Sequence, residues 1–154
     1  MKTEYSVFDA VKVTGIHRER IRDWMNRGYI KPSIQVSKGK GTRALFDIYD
    51  LMVMALFAKM IDCGIPREWA GRHFLAAYRA DTLRVHPIKY YKDMIAPRYL
   101  LFFRANGEVM ATEYETVKKR GELIRRGSLA DDVVGINEAM LFTLIIRKAE
   151  ALAE

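Results

Sequence analysis

The chain has 154 residues, of which 50% are hydrophobic and 29% are charged, with 26 Lys and Arg against 19 Asp and Glu. These values are typical of one globular core, or of a small domain with an appendage, and exclude a disordered chain. The longest uncharged apolar run, 51–58, is far shorter than the ~20 residues that span a bilayer, and no secretory signal is evident. Since Cys63 is the single cysteine, no internal disulfide is possible, which favours a reducing cytoplasm.

The positive charge is concentrated in one segment. Residues 1–80 hold 14 basic and 8 acidic side chains, whereas residues 81–154 hold 12 and 11. Residues 17–43 hold 8 basic and 2 acidic side chains, which accounts for the whole excess of the first half. Such a local excess suits a polyanion, because each neutralised phosphate releases condensed counterions. A membrane surface would require an exposed apolar face beside this charge, so nucleic acid is favoured.

Two short helices separated by a glycine turn are predicted near the N-terminus. Ser6 is the expected N-cap of the first, with Asp9 as an acidic N3 residue, and Gly15 ends it. The second helix, 18–27, has an apolar stripe and a neighbouring polar stripe, formed by Ile21, Trp24 and Met25 and by Arg18, Arg22 and Asn26, respectively. Gly28 follows where a left-handed residue ends a helix. This order is typical of a helix-turn-helix, whose second helix enters the major groove, although a solvated surface helix is the plainer alternative.

A hairpin is predicted directly after these helices. Residues 33–37 alternate polar and apolar like a half-buried strand, and residues 42–46 provide the return strand. Lys38 and Lys40 lie at the glycine-rich tip, where the hairpin resembles a wing whose lysines reach phosphate. Asp47 then caps a helix that runs to about Asp62 and is apolar nearly all round, and a further helix is predicted from Arg67 to about Ala80.

Residues 5–75 resemble the winged-helix DNA-binding domain of the MerR family and its relatives, including phage excisionase-like proteins. The segments that carry the resemblance are Tyr5-Ser6-Val7, Gly15-Ile16, Ile21-Arg22-Asp23-Trp24, Gly28-Tyr29-Ile30, Pro32, Gly41-Thr42-Arg43 with Phe46, Asp50-Leu51 and Cys63-Gly64-Ile65-Pro66. The resemblance implies that Arg22 and Arg43 contact DNA. Two features depart from the family: Asp23 replaces a usual aromatic residue, and the chain does not continue into one long coiled-coil helix.

The second half reads as a smaller unit. Residues 81–98 are predicted as an irregular connection, and residues 99–114 as a hairpin with an Asn106-Gly107 turn. A short basic helix is expected over 117–126 and a third strand over 133–136. The final helix, capped by Asn137, has a wide apolar face formed by Leu141, Phe142, Ile145, Ile146, Ala149 and Leu152. This face requires the N-terminal domain or a second copy as its partner, and a homodimer would suit a pseudo-palindromic DNA site.

No motif for catalysis or metal binding is recognised. The three histidines are far apart in sequence, Cys63 has no CxxC partner, and no nucleophile–base set assembles. Cys63 is read as a small buried hydrophobe, with thiol sensing as the alternative. We therefore expect no cofactor, no metal and no enzymatic activity.

The sequence thus predicts an α+β, mainly α fold: a winged helix-turn-helix domain (1–80), a connection (81–98) and a small dimerisation or effector region (99–154). The expected function is sequence-specific binding of double-stranded DNA by a cytoplasmic, homodimeric bacterial or phage transcription regulator. The candidate DNA contacts are His17, Arg18, Arg20, Arg22, Lys38, Lys40 and Arg43. Three alternatives stay open: a phage architectural or DNA-packaging subunit, a protein-interaction module such as an antitoxin or adaptor, and a ligand-sensing regulator. An aromatic pocket would serve the last of these, lined by Tyr90, Tyr91, Tyr99, Phe102 and Phe103.

Overall fold

The structure is a computed structural model that describes residues 1–39, 41–75, 78, 83, 86–92, 98–106, 108–116 and 132–153. Its fold is α+β, as the sequence predicts. The helices are α1 (Val7–Thr14), α2 (Arg18–Asn26), α3 (Ile48–Asp62), a π-helix (Trp69–Phe74), α4 (Ile88–Lys92) and α5 (Glu138–Ala151). The strands are β1 (Tyr5–Ser6), β2 (Leu45–Phe46), β3 (Arg98–Ala105), β4 (Glu108–Thr116) and β5 (Asp132–Asn137).

Local signals set the ends of the N-terminal helices. The Ser6 hydroxyl accepts a hydrogen bond from the Asp9 amide at 3.2 Å, and the Asp9 carboxylate accepts one from the Ser6 amide at 2.9 Å. This confirms the predicted capping box. Gly15, with φ of 75°, ends α1, and Gly28, also at 75°, turns the chain after α2. A side chain at either position would strain the backbone.

The predicted caps of α3 and α5 are confirmed as well. The Asp47 carboxylate accepts from the Asp50 amide at 2.8 Å, and the Asn137 side chain accepts from the Met140 amide at 3.1 Å. The Asp50 carboxylate is buried and also accepts from the amide and hydroxyl of Ser33, at 2.8 and 2.6 Å. It thereby attaches the segment after α2 to the start of α3.

The C-terminal sheet has the antiparallel order β4-β3-β5, with β3 in the centre. The predicted hairpin and third strand are therefore confirmed. Side chains alternate along β3: Leu100 and Phe102 join the main core, whereas Leu101 and Phe103 form a second cluster with Tyr99.

A single main hydrophobic cluster joins the two halves of the chain. It contains Trp24 of α2, Phe57 of α3 and Phe142 of α5, and the Trp24 and Phe57 ring centroids are 4.7 Å apart in a T-shaped arrangement. Helix α5 packs against α1 and α3, so its apolar face is covered by the N-terminal helices. At the edge of this contact, Arg104 of β3 donates from Nη1 to the carbonyl of Gly64 at 2.7 Å, beyond the end of α3.

Three sequence predictions require correction. Residues 33–37 form no regular strand: Gln35 makes one isolated bridge with Leu45, and Ile34 and Val36 are 40% and 58% exposed. Residues 33–37 are all exposed, so their alternation reflects no burial, and β2 pairs with β1.

The other two corrections concern the middle of the chain. The segment 81–98 includes helix α4, because the buried ring of Tyr91 packs against Phe142 and its hydroxyl donates to the Leu83 carbonyl at 2.8 Å. The helix predicted from Arg67 is π-helical over Trp69–Phe74. In that segment a Cβ on Gly71 would lie 2.3 Å from the Tyr29 ring, so glycine permits the contact. The predicted helix 117–126 lies outside the described residues.

Candidate nucleic-acid interface

Helix α2 presents two arginines on one exposed face. Ile21 and Trp24 are buried in the core, so the stripe that contains Arg18 and Arg22, one turn apart, is turned outward. Both side chains are exposed, as is His17, which precedes α2 and makes no side-chain cap. The helical periodicity alone therefore places Arg18 and Arg22 together at the surface.

These arginines line a groove with a volume of about 520 Å³. Its lining comes from the segment 6–11, from α2 and, in the loop 37–44, from Ser37 and the residues from Thr42 to Ala44. The groove is lined by Ser6, Val7, Phe8, Val11, Arg18, Arg22, Met25, Ser37, Thr42, Arg43 and Ala44. The fold thus brings Arg43 to the same concavity as Arg18 and Arg22, which are about 20 residues earlier in the chain.

Side-chain hydrogen bonds shape the loop 37–44. The Thr42 hydroxyl accepts from the Lys38 amide at 2.6 Å and donates to the Gly39 carbonyl at 3.0 Å. The Gln35 amide group donates to the Arg43 carbonyl at 2.9 Å. Gly39 and Gly41 have φ values of 119° and 91°, which only glycine adopts readily. These contacts hold a compact turn in place of the predicted two-stranded ladder.

The guanidinium groups of Arg18, Arg22 and Arg43 have no ion pair with any described residue, and all three side chains are exposed. Other arginines are paired. Arg27 Nε lies 2.8 Å from Asp23 Oδ1, and Arg67 Nη1 lies 3.9 Å from Asp23 Oδ2. Asp23, which follows Arg22 in the chain, thus pairs with Arg27 and Arg67, while Arg18, Arg22 and Arg43 form no ion pair with Glu19 or any other described acidic residue.

The remaining predicted contacts are placed differently. Arg20 lies on the opposite side of α2, where its Nη2 is 3.4 Å from Asp62 Oδ1 and its guanidinium lies over the Trp24 ring at 4.9 Å. Lys38 is exposed near the loop tip but does not line the groove, and Lys40 lies outside the described residues. The structure therefore assembles three of the seven predicted contacts in one concavity.

The sequence reading did not select Phe8, whose ring lines the groove and is 66% exposed. A signal was available. Ala10 and Val13 form the buried side of α1, and Phe8 falls off that stripe, so the helical period predicts that this large aromatic side chain is exposed.

A second concavity, of about 330 Å³, lies beside Tyr29 and is lined by Arg27 and Arg72 among others. Its cations are engaged: Arg72 Nε lies 2.6 Å from Glu68 Oε2, and the Tyr29 hydroxyl donates to Glu68 Oε1. The hydrogen bond from Tyr29, followed by that from Arg72, lowers the pKa of Glu68 below its usual value. Because these charged side chains interact with one another, they are less available to a ligand than the arginines of the groove.

Metal and ligand sites find no further support in the described residues. No group of three or more His, Cys, Asp or Glu side chains lies close enough to hold a metal ion there. Of the aromatics considered for a ligand pocket, Tyr91 and Phe102 are fully buried in the main core. Among the described helices, none is long and apolar enough to cross a membrane.

In comparisons with known proteins, no protein-family model matches this chain, and no curated protein matches it in sequence.

Proposed function

We propose that this protein binds double-stranded DNA in a sequence-specific manner and acts as a cytoplasmic bacterial or phage transcription regulator. The observation that carries the proposal is the groove in which Arg18, Arg22 and Arg43 are exposed without an ion pair among the described residues. These guanidinium groups are therefore available to an external anion, and planar guanidinium groups suit phosphate and guanine.

In this proposal α2 enters the major groove as the second helix of a winged helix-turn-helix. Arg18 and Arg22 contact base edges, where an arginine pairs bidentately with the O6 and N7 atoms of guanine. Arg43 contacts phosphate from the loop that acts as the wing, together with Lys38 and Lys40. His17 lies at the N-terminus of α2, beside these contacts. Arg20 is not included, because it is paired with Asp62 on the other side of the helix.

The test is fluorescence anisotropy of the full chain on a duplex from its own upstream region and on a random duplex, across a salt series. If Arg22 reads a base, Arg22→Ala should cost ~1–3 kcal/mol on the preferred duplex and reduce discrimination. Arg43→Ala should weaken both duplexes alike and reduce the salt slope by about 1, because one phosphate contact is lost.

Arg147→Ala is the matched control, since it removes the same charge from an exposed position on α5, outside the groove. We expect it to change affinity much less than either groove variant. Equal losses for all three variants would indicate a general effect of net charge and contradict the assigned contacts. Equal wild-type affinity for both duplexes would favour an architectural or packaging role.

A second candidate, a protein-interaction module, is favoured by one observation. Met140 and Leu144 lie one turn apart on α5 and are 71% and 47% exposed. These side chains provide an apolar strip that a partner, including a second copy of the chain, would cover. Absence of DNA binding even at low salt would favour this candidate over the regulator.

A further inference from the structure

Phe8 is an exposed aromatic side chain in a groove that is otherwise rimmed by charge. Its ring is 66% exposed, and the Lys12 ammonium lies 4.5 Å from the ring centroid. The ring lines the same concavity as Arg18, Arg22 and Arg43. The Phe8 side chain, with Lys12 over one face of its ring, therefore lies in a groove with three cations that have no ion pair among the described residues.

The groove alternates in chemical character across its width. Its lining combines an apolar part, called here the floor, with guanidinium and hydroxyl groups. The apolar residues are Val7, Phe8, Val11, Met25 and Ala44, and the polar ones are Ser6, Arg18, Arg22, Ser37, Thr42 and Arg43. A matching occupant has anionic groups joined by compact apolar units. The sugar–phosphate backbone of a nucleic acid has this composition, whereas a free phosphate would leave the apolar floor uncovered.

The position of the groove indicates which part of the DNA lies there. If α2 lies in the major groove, as in the function proposed above, a backbone bordering that groove passes beside the helix. The same groove is lined by Ser37 and by the residues from Thr42 to Ala44, among which Arg43 is the phosphate contact of that proposed function. We propose that one DNA strand lies in this groove between α2 and the loop, with a deoxyribose packed against the Phe8 ring, an inference that rests on the proposed function.

Packing against the ring also discriminates between sugars. The C2′ methylene of deoxyribose is apolar and suits an aromatic face, whereas a ribose adds a 2′-hydroxyl at that carbon. Buried against the ring, that hydroxyl would lose its hydrogen bonds to water without gaining a partner. Phe8 therefore serves as a positioning residue that favours deoxyribose at one site and reads no base.

The test compares Phe8→Ala with wild type on the preferred and random duplexes across salt. We expect affinity to fall on the order of fivefold on both, as for one lost apolar contact, with the salt slope unchanged because no phosphate contact is removed. In the preferred duplex, single ribonucleotides are then placed at each backbone position in turn. A ribonucleotide at one or two of these positions should weaken binding by wild type and leave the affinity of Phe8→Ala unchanged.

The controls separate this inference from the proposed function. Ile34→Ala removes an exposed apolar side chain from a residue that does not line the groove and should leave affinity unchanged. Because Phe8 is exposed, Phe8→Ala should keep the wild-type thermal unfolding, and Phe8→Leu provides a second variant without the flat face. Unchanged affinity of Phe8→Ala, while the Arg22 and Arg43 variants lose binding, would overturn only the sugar contact. If the loss of affinity caused by Phe8→Ala disappears when thymines are replaced by uracils, Phe8 contacts a base, and the sugar contact is overturned. Absence of DNA binding by wild type would overturn both proposals.

Discussion

The hydroxyl of Tyr5 is buried and has no hydrogen-bond partner among the described residues. Burial, followed by the charges of Asp9 and Glu150, raises the pKa of Tyr5 from 10.0 to about 12. Removing an unsatisfied buried hydroxyl removes its desolvation penalty while the ring stays packed. We expect Tyr5→Phe to increase the free energy of unfolding by about 1 kcal/mol at pH 7, as measured by urea denaturation.

The pH dependence of the same variant provides a check. The unfolded tyrosine ionises near its ordinary pKa of 10.0 and the folded one near about 12, so wild-type stability falls as the pH rises across this interval. Tyr5→Phe should lack the part of this decrease in stability that comes from ionisation of Tyr5. Tyr49→Phe is the matched control, because its hydroxyl donates to the His86 carbonyl at 3.0 Å, and it should lower stability. A destabilised Tyr5→Phe would show that the hydroxyl has a partner.

Individual residues of the groove were unequally predictable. The period of α2 predicts that Arg18 and Arg22 share a polar stripe beside that of Ile21 and Trp24, and the structure has both arginines in one groove. The pairing of Arg20 with Asp62 was not predictable, because it joins residues 42 positions apart. The period of α1 indicates that Phe8 lies off the stripe of Ala10 and Val13, but its place beside Arg43 depends on contacts between distant segments.

At the scale of an element, the capping box of α1 should give a measurable pH dependence. Burial would raise the pKa of Asp9, but hydrogen bonds from the Ser6 amide and hydroxyl, with the nearby Lys2, together lower it. A carboxylate whose pKa is lower in the folded than in the unfolded chain stabilises the fold at pH values above the unfolded pKa. This stabilisation is lost as the pH falls through the pKa of the folded carboxylate. We expect Asp9→Asn to lower the free energy of unfolding by about 1 kcal/mol at pH 7.

The decisive measurement is this difference as a function of pH. It should begin to shrink as the pH falls to the ordinary Asp pKa of 3.8, where the unfolded chain binds a proton, and shrink further as the pH falls through the lower pKa of the folded carboxylate. Asp62→Asn is the control, because Asp62 forms an exposed ion pair with Arg20 at 3.4 Å, and such pairs contribute little. A difference for Asp9→Asn that is constant from pH 7 to pH 3 would contradict the role of the charge.

For the whole molecule, the shared core predicts cooperative unfolding. Phe142 of α5 is fully buried in the cluster that also contains Trp24 and Phe57, and its ring centroid lies 5.6 Å from that of Tyr91. Phe142→Ala should therefore cost ~3–5 kcal/mol. Unfolding followed by tryptophan fluorescence and by far-ultraviolet circular dichroism should shift together, as one transition.

This experiment also tests the division into an N-terminal domain (1–80) and a C-terminal region (99–154), which stays a prediction. Separate transitions, with only one of them moved by Phe142→Ala, would support two independent units and contradict the cooperative one. Met140→Ala, on the same helix but exposed, should change stability by less than about 0.5 kcal/mol. Sedimentation of the wild type addresses the homodimer, which likewise stays a prediction.

The sequence by itself determined the features that depend on neighbouring residues. Caps at Ser6, Asp47 and Asn137, turns at Gly15 and Gly28, and the strands of the C-terminal hairpin follow from hydrogen bonds and backbone preferences within a few positions. The tertiary structure alone decided which of these elements meet. It placed Arg43 beside Arg18 and Arg22, paired β2 with β1 and left residues 33–37 exposed, and it formed α4 around Tyr91. These outcomes depend on contacts between distant segments, whose energies no local pattern contains.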